Sequence, residues 1–183
     1  ETIDAITQGV RDLGIKTIWG PVCTCVDDPT YYKNLGRLGE YSLIQTLYST
    51  YATPEAGAEK IEAFKIRDAF KNAYLKRWNV LPGSQGVTSY DTIYLVAKAI
   101  GNAGSLDKAK VRDALERLSM PQLILPVKGG EIKFDAVHEV RFDIYVTQLV
   151  WDQSAGELRP VAVWPQHMKT ADFKLPPGYK PGV

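Results

Sequence analysis

Between residues 55 and 119 three helix-forming stretches follow one another with no β-prone run between them, and the β-prone runs of the chain lie towards its two ends. Amphipathic helices must bury their apolar stripes against a sheet or against other helices. The sequence therefore predicts one of two organisations. Either the central helices form a helical subdomain, or they cover a sheet whose strands are supplied by residues outside these 183. Composition narrows the partners. With 22 Lys+Arg against 21 Asp+Glu, the net charge of +1 argues against nucleic acid, whose phosphates are bound through a cationic excess that releases counterions. At 45% hydrophobic residues the chain has the makings of a buried core, and it carries no apolar run long enough to predict a membrane span. It begins at Glu1 with neither a Met nor the charged and apolar regions of a signal peptide, so an export signal is expected to have been removed or never included.

The order of elements is α/β. Ile3, Ile6, Val10 and Leu13 recur at steps of three and four, the buried stripe of a helix that Gly14 ends. Residues 15–19 are short, β-prone and stopped by Gly20-Pro21, which predicts a strand delivering its end to a loop. Asp27-Asp28-Pro29 supplies an N-cap and a first-turn Pro for a short helix through Tyr31, Tyr32 and Leu35, closed by Gly36 and Gly39. Residues 41–51 read as a second strand. Thr53-Pro54-Glu55 opens the longest predicted helix, its Ile61, Phe64, Phe70, Tyr74 and Trp78 mostly on one side. A turn at 81–84 leads to a helix over 87–100, and Ser105-Leu106-Asp107 starts a third with Val111, Leu115 and Leu118. Strands are expected at 131–134, 142–151 and 158–164, the last two joined as a hairpin by turn residues at 152–156. From Pro165 onward, four of the 11 Pro predict an extended or loose tail.

Chemistry-bearing motifs are sparse. Cys23 and Cys25 form C-x-C, which meets neither the zinc nor the redox dithiol spacing, and His138 and His167 are remote from them, so no metal and no cofactor is expected. There is no G-x-S-x-G, P-loop, G-x-G-x-x-G or H-E-x-x-H, so the chain is not read as an enzyme. A Cys23–His138 nucleophile pair is the one enzymatic alternative that the residue types leave open.

Several stretches, in order, resemble the type I periplasmic binding proteins, the branched-chain amino acid class of ABC-transporter receptors. Val10-Arg11-Asp12-Leu13-Gly14-Ile15-Lys16 before Thr17-Ile18-Trp19-Gly20-Pro21 is similar to that family's helix, "LGLK" turn and strand ending in a Gly-rich ligand loop. Phe70, Tyr74, Pro82 and Ser89-Tyr90-Asp91-Thr92-Ile93-Tyr94-Leu95 are similar to its "F-x-x-x-Y…P…Y-D-A-V-Y-L". Ala103-Gly104-Ser105 with Val111-Arg112-Asp113-Ala114-Leu115, and Gly130-Glu131-Ile132-Lys133-Phe134-Asp135, resemble the motifs that follow. The resemblance covers nearly all of 1–164.

It implies a fold of two Rossmann-like lobes with hinge crossovers, of which only the second half of the chain is present. Residues 1–50 and 141–164 then belong to one lobe, 51–140 to the other, and 165–183 form the Pro-rich tail. It implies a solute-binding receptor of an ABC importer, exported to the periplasm, without covalent chemistry and without membrane insertion. Its expected partners are a small-molecule ligand, an ABC permease and the missing N-terminal half. A ligand-sensing domain of a regulatory protein is the alternative. Open α/β sheets bind small molecules at the carboxyl ends of strands, which points to the loop after 15–19 and to Trp19, Gly20, Val22 and Cys23. The family's amino-acid binders place a carboxylate for the ligand ammonium at the position of Val22. Its absence here points to a ligand without an essential ammonium, such as an aromatic or aliphatic carboxylate or an amide, unless Asp27 or Asp28 reaches in. Gln85, at the start of a helix, is the second expected contact, where the helix dipole favours an anion. Tyr90 and Tyr94 read as packing residues.

Overall fold

The computed structural model describes residues 2–21, 28–51 and 62–179. The chain divides into two compact units, Glu1–Glu59 with Ile144–Val183, and Lys60–Asp143. The first holds α1 (Thr2–Asp12), α2 (Pro29–Leu35), β1 (Leu43–Thr46), and two later strands, while the second holds α3 (Glu62–Trp78), α4 (Ser84–Ala103), α5 (Lys108–Glu116), β2 (Ser119–Pro121) and β3 (Glu131–Lys133). The later strands of the first unit are β4 (Tyr145–Asp152) and β5 (Glu157–Trp164).

In the first unit β4 lies between β1 and β5 in an antiparallel sheet, with Ile44 opposite Thr147 and Trp151 opposite Leu158. The hairpin turn expected at 152–156 is present, because Asp152 accepts hydrogen bonds from the amides of Ser154 and Ala155 and so closes the loop on its own backbone. Strand side chains alternate between faces. One face buries Ile44, Leu149 and Leu158 under Tyr31, Tyr32 and Leu35 of α2. The α2 start follows from its sequence. The Asp28 carboxylate accepts from Thr30 N at 2.7 Å, and Pro29 occupies a position whose N–H would lack a partner in any case.

Two expectations for this unit are corrected and a third is narrowed. Residues 15–19 form no strand. The Trp19 carbonyl accepts from Leu43 N at 2.8 Å along the outer side of β1, and one such bond does not make a ladder. The second strand is Leu43–Thr46 rather than 41–51. Of the two states expected for the tail, extended or loose, residues 170–174 are extended and attached. Gln148, pointing away from α2, pairs its side-chain amide with both the N–H and the C=O of Lys174, each at 2.8 Å, and Thr170 bonds the Ala162 backbone. A buried amide thus acts as a strand neighbour, holding the tail on the second face of the sheet. The buried side of α1 also differs from the apolar count. Thr7 is 0% exposed while Leu13 is 78% exposed. At about 100° per residue Leu13 lies roughly 120° round the helix from Thr7.

In the second unit α4 packs on α5 and β2 pairs with β3, and Val87, Ala99, Ala114, Leu118, Ile124 and Ile132 are buried. The start of the predicted long helix, 53–61, lies outside the described residues. The helix expected at 87–100 runs further in both directions, from a Gly83 cap to Gly104, whose left-handed backbone (φ 57°) lets its N–H return to Ile100 O. The Asp107 side chain caps α5 through Ala109 N and Lys110 N, both at 3.1 Å, as its sequence predicts. Strand β2 was not expected. Its three residues, one of them Pro, carry too little pattern, and they are a strand because Met120 pairs with Ile132 of β3.

Candidate functional site

Trp19 is held at both its backbone and its ring. Its carbonyl is bonded to β1, and its indole Nε1–H donates to Thr7 Oγ1 at 3.0 Å. That hydroxyl lies 3.0 Å from the Tyr31 hydroxyl. An indole has one donor and no acceptor, so the α1 hydroxyl satisfies its only polar group. Burial pushes the Tyr31 phenol above its ordinary pKa, outweighing the neighbouring Thr7 hydroxyl and Trp19 indole N–H, which act the other way. Part of the Trp19 side chain remains accessible. Gly20 follows it, exposed. A Cβ there would meet Leu43 Cβ at 3.6 Å, ordinary contact, so neither space nor backbone conformation demands glycine among its described neighbours. Val22 and Cys23, with Cys25 and Asp27, lie outside the described residues.

Gln85 sits in the first turn of α4, exposed, in the second unit. The Gly83 cap offers no side-chain acceptor, so this turn relies on its own backbone, with Gly86 N and Val87 N both directed to Gly83 O. Trp19 and Gly20 are neighbours, then, and Gln85 belongs to the other unit. His138 lies on an exposed turn with φ 63°, its Nε2 4.0 Å from Glu116 Oε1. Among the described residues no three His, Cys, Asp or Glu side chains meet in a metal-holding group, and no helix is long and apolar enough to cross a membrane.

Residue-by-residue reading missed two residues around Trp19 and one buried acid elsewhere. Thr7 and Tyr31 hold the Trp19 indole. Asp91, 3% exposed in the middle of α4, accepts from Leu125 N at 2.9 Å and from Ile124 N at 3.2 and 3.3 Å. Burial raises its carboxyl pKa, and the two amides act against that rise. An acid on the apolar side of a helix was the available signal. Tyr90 and Tyr94 do pack. Their rings lie 4.7 Å apart, with Phe70 4.8 Å from Tyr90, and the hydrogen bond with Tyr94, aided by burial, pushes the Tyr90 hydroxyl up to about 12.

Among the described residues, concavities lie elsewhere. A cavity of about 10 Å³ at the end of β1, between Tyr32, Thr46, Ser49 and Thr147, has room for one water and no solute. An open groove of about 290 Å³ in the second unit is lined by Val127, Phe134, and by Lys128, Lys133 and Arg141 among three carboxylates. Neither is lined by Trp19, Gly20 or Gln85.

No protein-family profile and no curated protein matches the sequence. Solved structures do. A leucine-binding protein of Thermotoga maritima superposes with a TM-score of 0.66 at 19% identity over 87% of this chain and 40% of its own. The substrate-binding protein of a branched-chain amino acid transporter from Streptococcus pneumoniae, in complex with isoleucine, gives 0.63 at 19% identity over 87% and 41%. A leucine-, isoleucine-, valine-, threonine- and alanine-binding protein of Brucella ovis in its closed conformation gives 0.64 at 15% identity over 96% and 45%. This chain thus spans less than half the length of each. At these identities the likeness is one of fold. The fold expected from the motifs, part of a type I periplasmic binding protein, is the one that the chain adopts.

Proposed function

We propose that the chain is part of a solute-binding receptor of an ABC importer. The observation that carries this reading is the superposition of 87–96% of the chain on solute-binding proteins of that kind. The receptor holds a small molecule in a cleft between two lobes, closes by hinge motion because the ligand touches both lobes only when closed, and passes it to a permease without covalent chemistry. It works in the periplasm after export. The first unit contributes Trp19, Gly20, Val22 and Cys23 to the ligand, and the second contributes Gln85. Val22, apolar where amino-acid binders carry an acid, favours a carboxylate or amide with an apolar body over a ligand that depends on its ammonium.

The remainder of the receptor, the N-terminal half, completes both lobes. Apolar side chains left exposed support this, namely Ile6, Leu13 and Ile15 in the first unit and Ile93 and Val96 in the second. Native mass spectrometry and thermal-shift titration of the full-length protein with L-leucine, phenylacetate and benzamide test the reading. A ligand at a hundred times its Kd stabilises by about 2.7 kcal/mol, a shift of several degrees. A full-length protein that carries no co-purified solute and is stabilised by none of these probes refutes the ligand class.

A further inference from the structure

We propose that Thr7 is a positioning residue that occupies the indole N–H of Trp19 inside the fold and so presents Trp19 to the ligand as a hydrocarbon surface alone. This deepens the solute-binding reading and rests on it. Tryptophan at a ligand site ordinarily offers two things, a large ring and one N–H donor. Here the donor is already used. Thr7 Oγ1 accepts it at 3.0 Å from a position of zero exposure, where no water competes, and the Tyr31 hydroxyl 3.0 Å away orients the threonine. The three groups come from α1, α2 and the 19–21 segment, and the bond from Leu43 N to the Trp19 carbonyl fixes the backbone of the same residue. Taking the N–H for a ligand would break this bond and leave the buried Thr7 Oγ1 with the Tyr31 hydroxyl but without the donor that now satisfies its acceptor side.

Two consequences follow for the ligand. The group lying against Trp19 is its apolar end, an alkyl or aryl body, and not its carboxylate or carbonyl. Its polar end is bonded elsewhere, by groups that still have donors to give. Specificity at this position then depends on the ring's placement, which Thr7 sets without touching the ligand.

The test uses the full-length protein and reads the Trp19 indole N–H by NMR, assigned with Trp19→Phe. In the wild type this proton exchanges slowly. Thr7→Val, which keeps the shape and removes the acceptor, speeds its exchange at least tenfold, and Thr7→Ser restores the slow rate. Exchange that is already fast in the wild type, or unchanged in Thr7→Val, overturns the proposal whatever binds. L-leucine and phenylacetate are then titrated. Trp19→Phe keeps the affinity for the bound probe within about threefold, Trp19→Ala loses at least tenfold, and Thr7→Val weakens it while Thr7→Ser does not. If Trp19→Phe loses as much as Trp19→Ala, the N–H serves the ligand and the proposal fails although the protein is a receptor. If both variants bind as the wild type does, Trp19 is no contact and it fails likewise. If the wild type binds neither probe while its indole is protected and released by Thr7→Val, the positioning role stands and the ligand class of the receptor reading is what has failed.

Discussion

Removing the Asp91 carboxylate should open the segment after β2 without unfolding the second unit. Two buried backbone amides, Ile124 and Leu125, have this side chain as their acceptor. Stranding a buried donor costs about 1–3 kcal/mol, and relief of the burial penalty on the carboxylate offsets part of the sum. A net loss of about 2–3 kcal/mol is expected for Asp91→Ala. At 1.36 kcal/mol per factor of ten, that loss corresponds to amide exchange faster by about 30- to 150-fold at these two residues. Val127 N is the internal control, because it donates to Gln122 Oε1 and not to Asp91. Asp91→Asn keeps one acceptor oxygen and should fall between wild type and alanine. The pH dependence has a fixed sign. Burial raises the native pKa of Asp91 above its unfolded value, so the folded state holds the proton more tightly. Its contribution is fully present below the unfolded pKa and is lost as pH rises through the native one, and Asp91→Asn removes that slope. Wild-type amides at 124 and 125 exchanging as fast as in Asp91→Ala, with 127 protected throughout, would refute the reasoning.

Other perturbations are simpler. Gly39→Ala places a Cβ 2.8 Å from Leu158 Cδ1 and 3.3 Å from Leu35 Cβ, two buried side chains that must then shift, and should destabilise the first unit by about 1–3 kcal/mol in denaturant titration. Its neighbour Gly36→Ala fails for backbone reasons instead, since φ there is 50°. Gln148→Leu deletes both bonds to Lys174 and should speed tryptic cleavage after Lys174 about tenfold, with equal rates counting against the tail's attachment to the sheet. Asp107→Ala removes the α5 cap from two amides at a cost of about 1 kcal/mol, read as lost protection at Ala109 and Lys110.

Local chemistry was legible where the cause lies within a few residues. The caps at Asp28 and Asp107 work through their own neighbours in sequence and are where the spacing predicts them, whereas α4 passes the expected stop at Gly101 and ends three residues later at the left-handed Gly104. Pairing was not legible where the partner is remote. Residues 15–19 have strand composition but only one bond to β1, whereas the three residues of β2 have no strand composition and pair fully with β3. The site shows the same division. Trp19 stood out as an aromatic at the end of a β-prone run. Thr7, twelve residues earlier and beside the apolar Ile6, did not, because a buried hydroxyl is placed by its partners and an apolar count passes over it.

The exposed apolar positions turn this last difference into a test of what completes the protein. Apolar periodicity marks Ile6 and Leu13 as buried, yet in this chain Leu13 is 78% exposed and Ile6 nearly half. Either the pattern is accidental or the surface it marks is covered by the remainder of the receptor. A charge at Leu13 separates the two. On a solvated helix end Leu13→Glu changes stability by no more than about 0.5 kcal/mol, as surface substitutions do. Beneath another layer it buries an unpaired carboxylate in place of an apolar side chain and costs several kcal/mol. Thermal unfolding of the full-length protein distinguishes these outcomes. Thr7→Ala serves as the reference for a site already buried within these residues. A large loss at both positions supports an N-terminal half packed over α1. A full-length Leu13→Glu variant as stable as the wild type, with Thr7→Ala clearly destabilised, leaves that face of α1 to solvent and removes α1 from the support for an N-terminal half packed over the first unit.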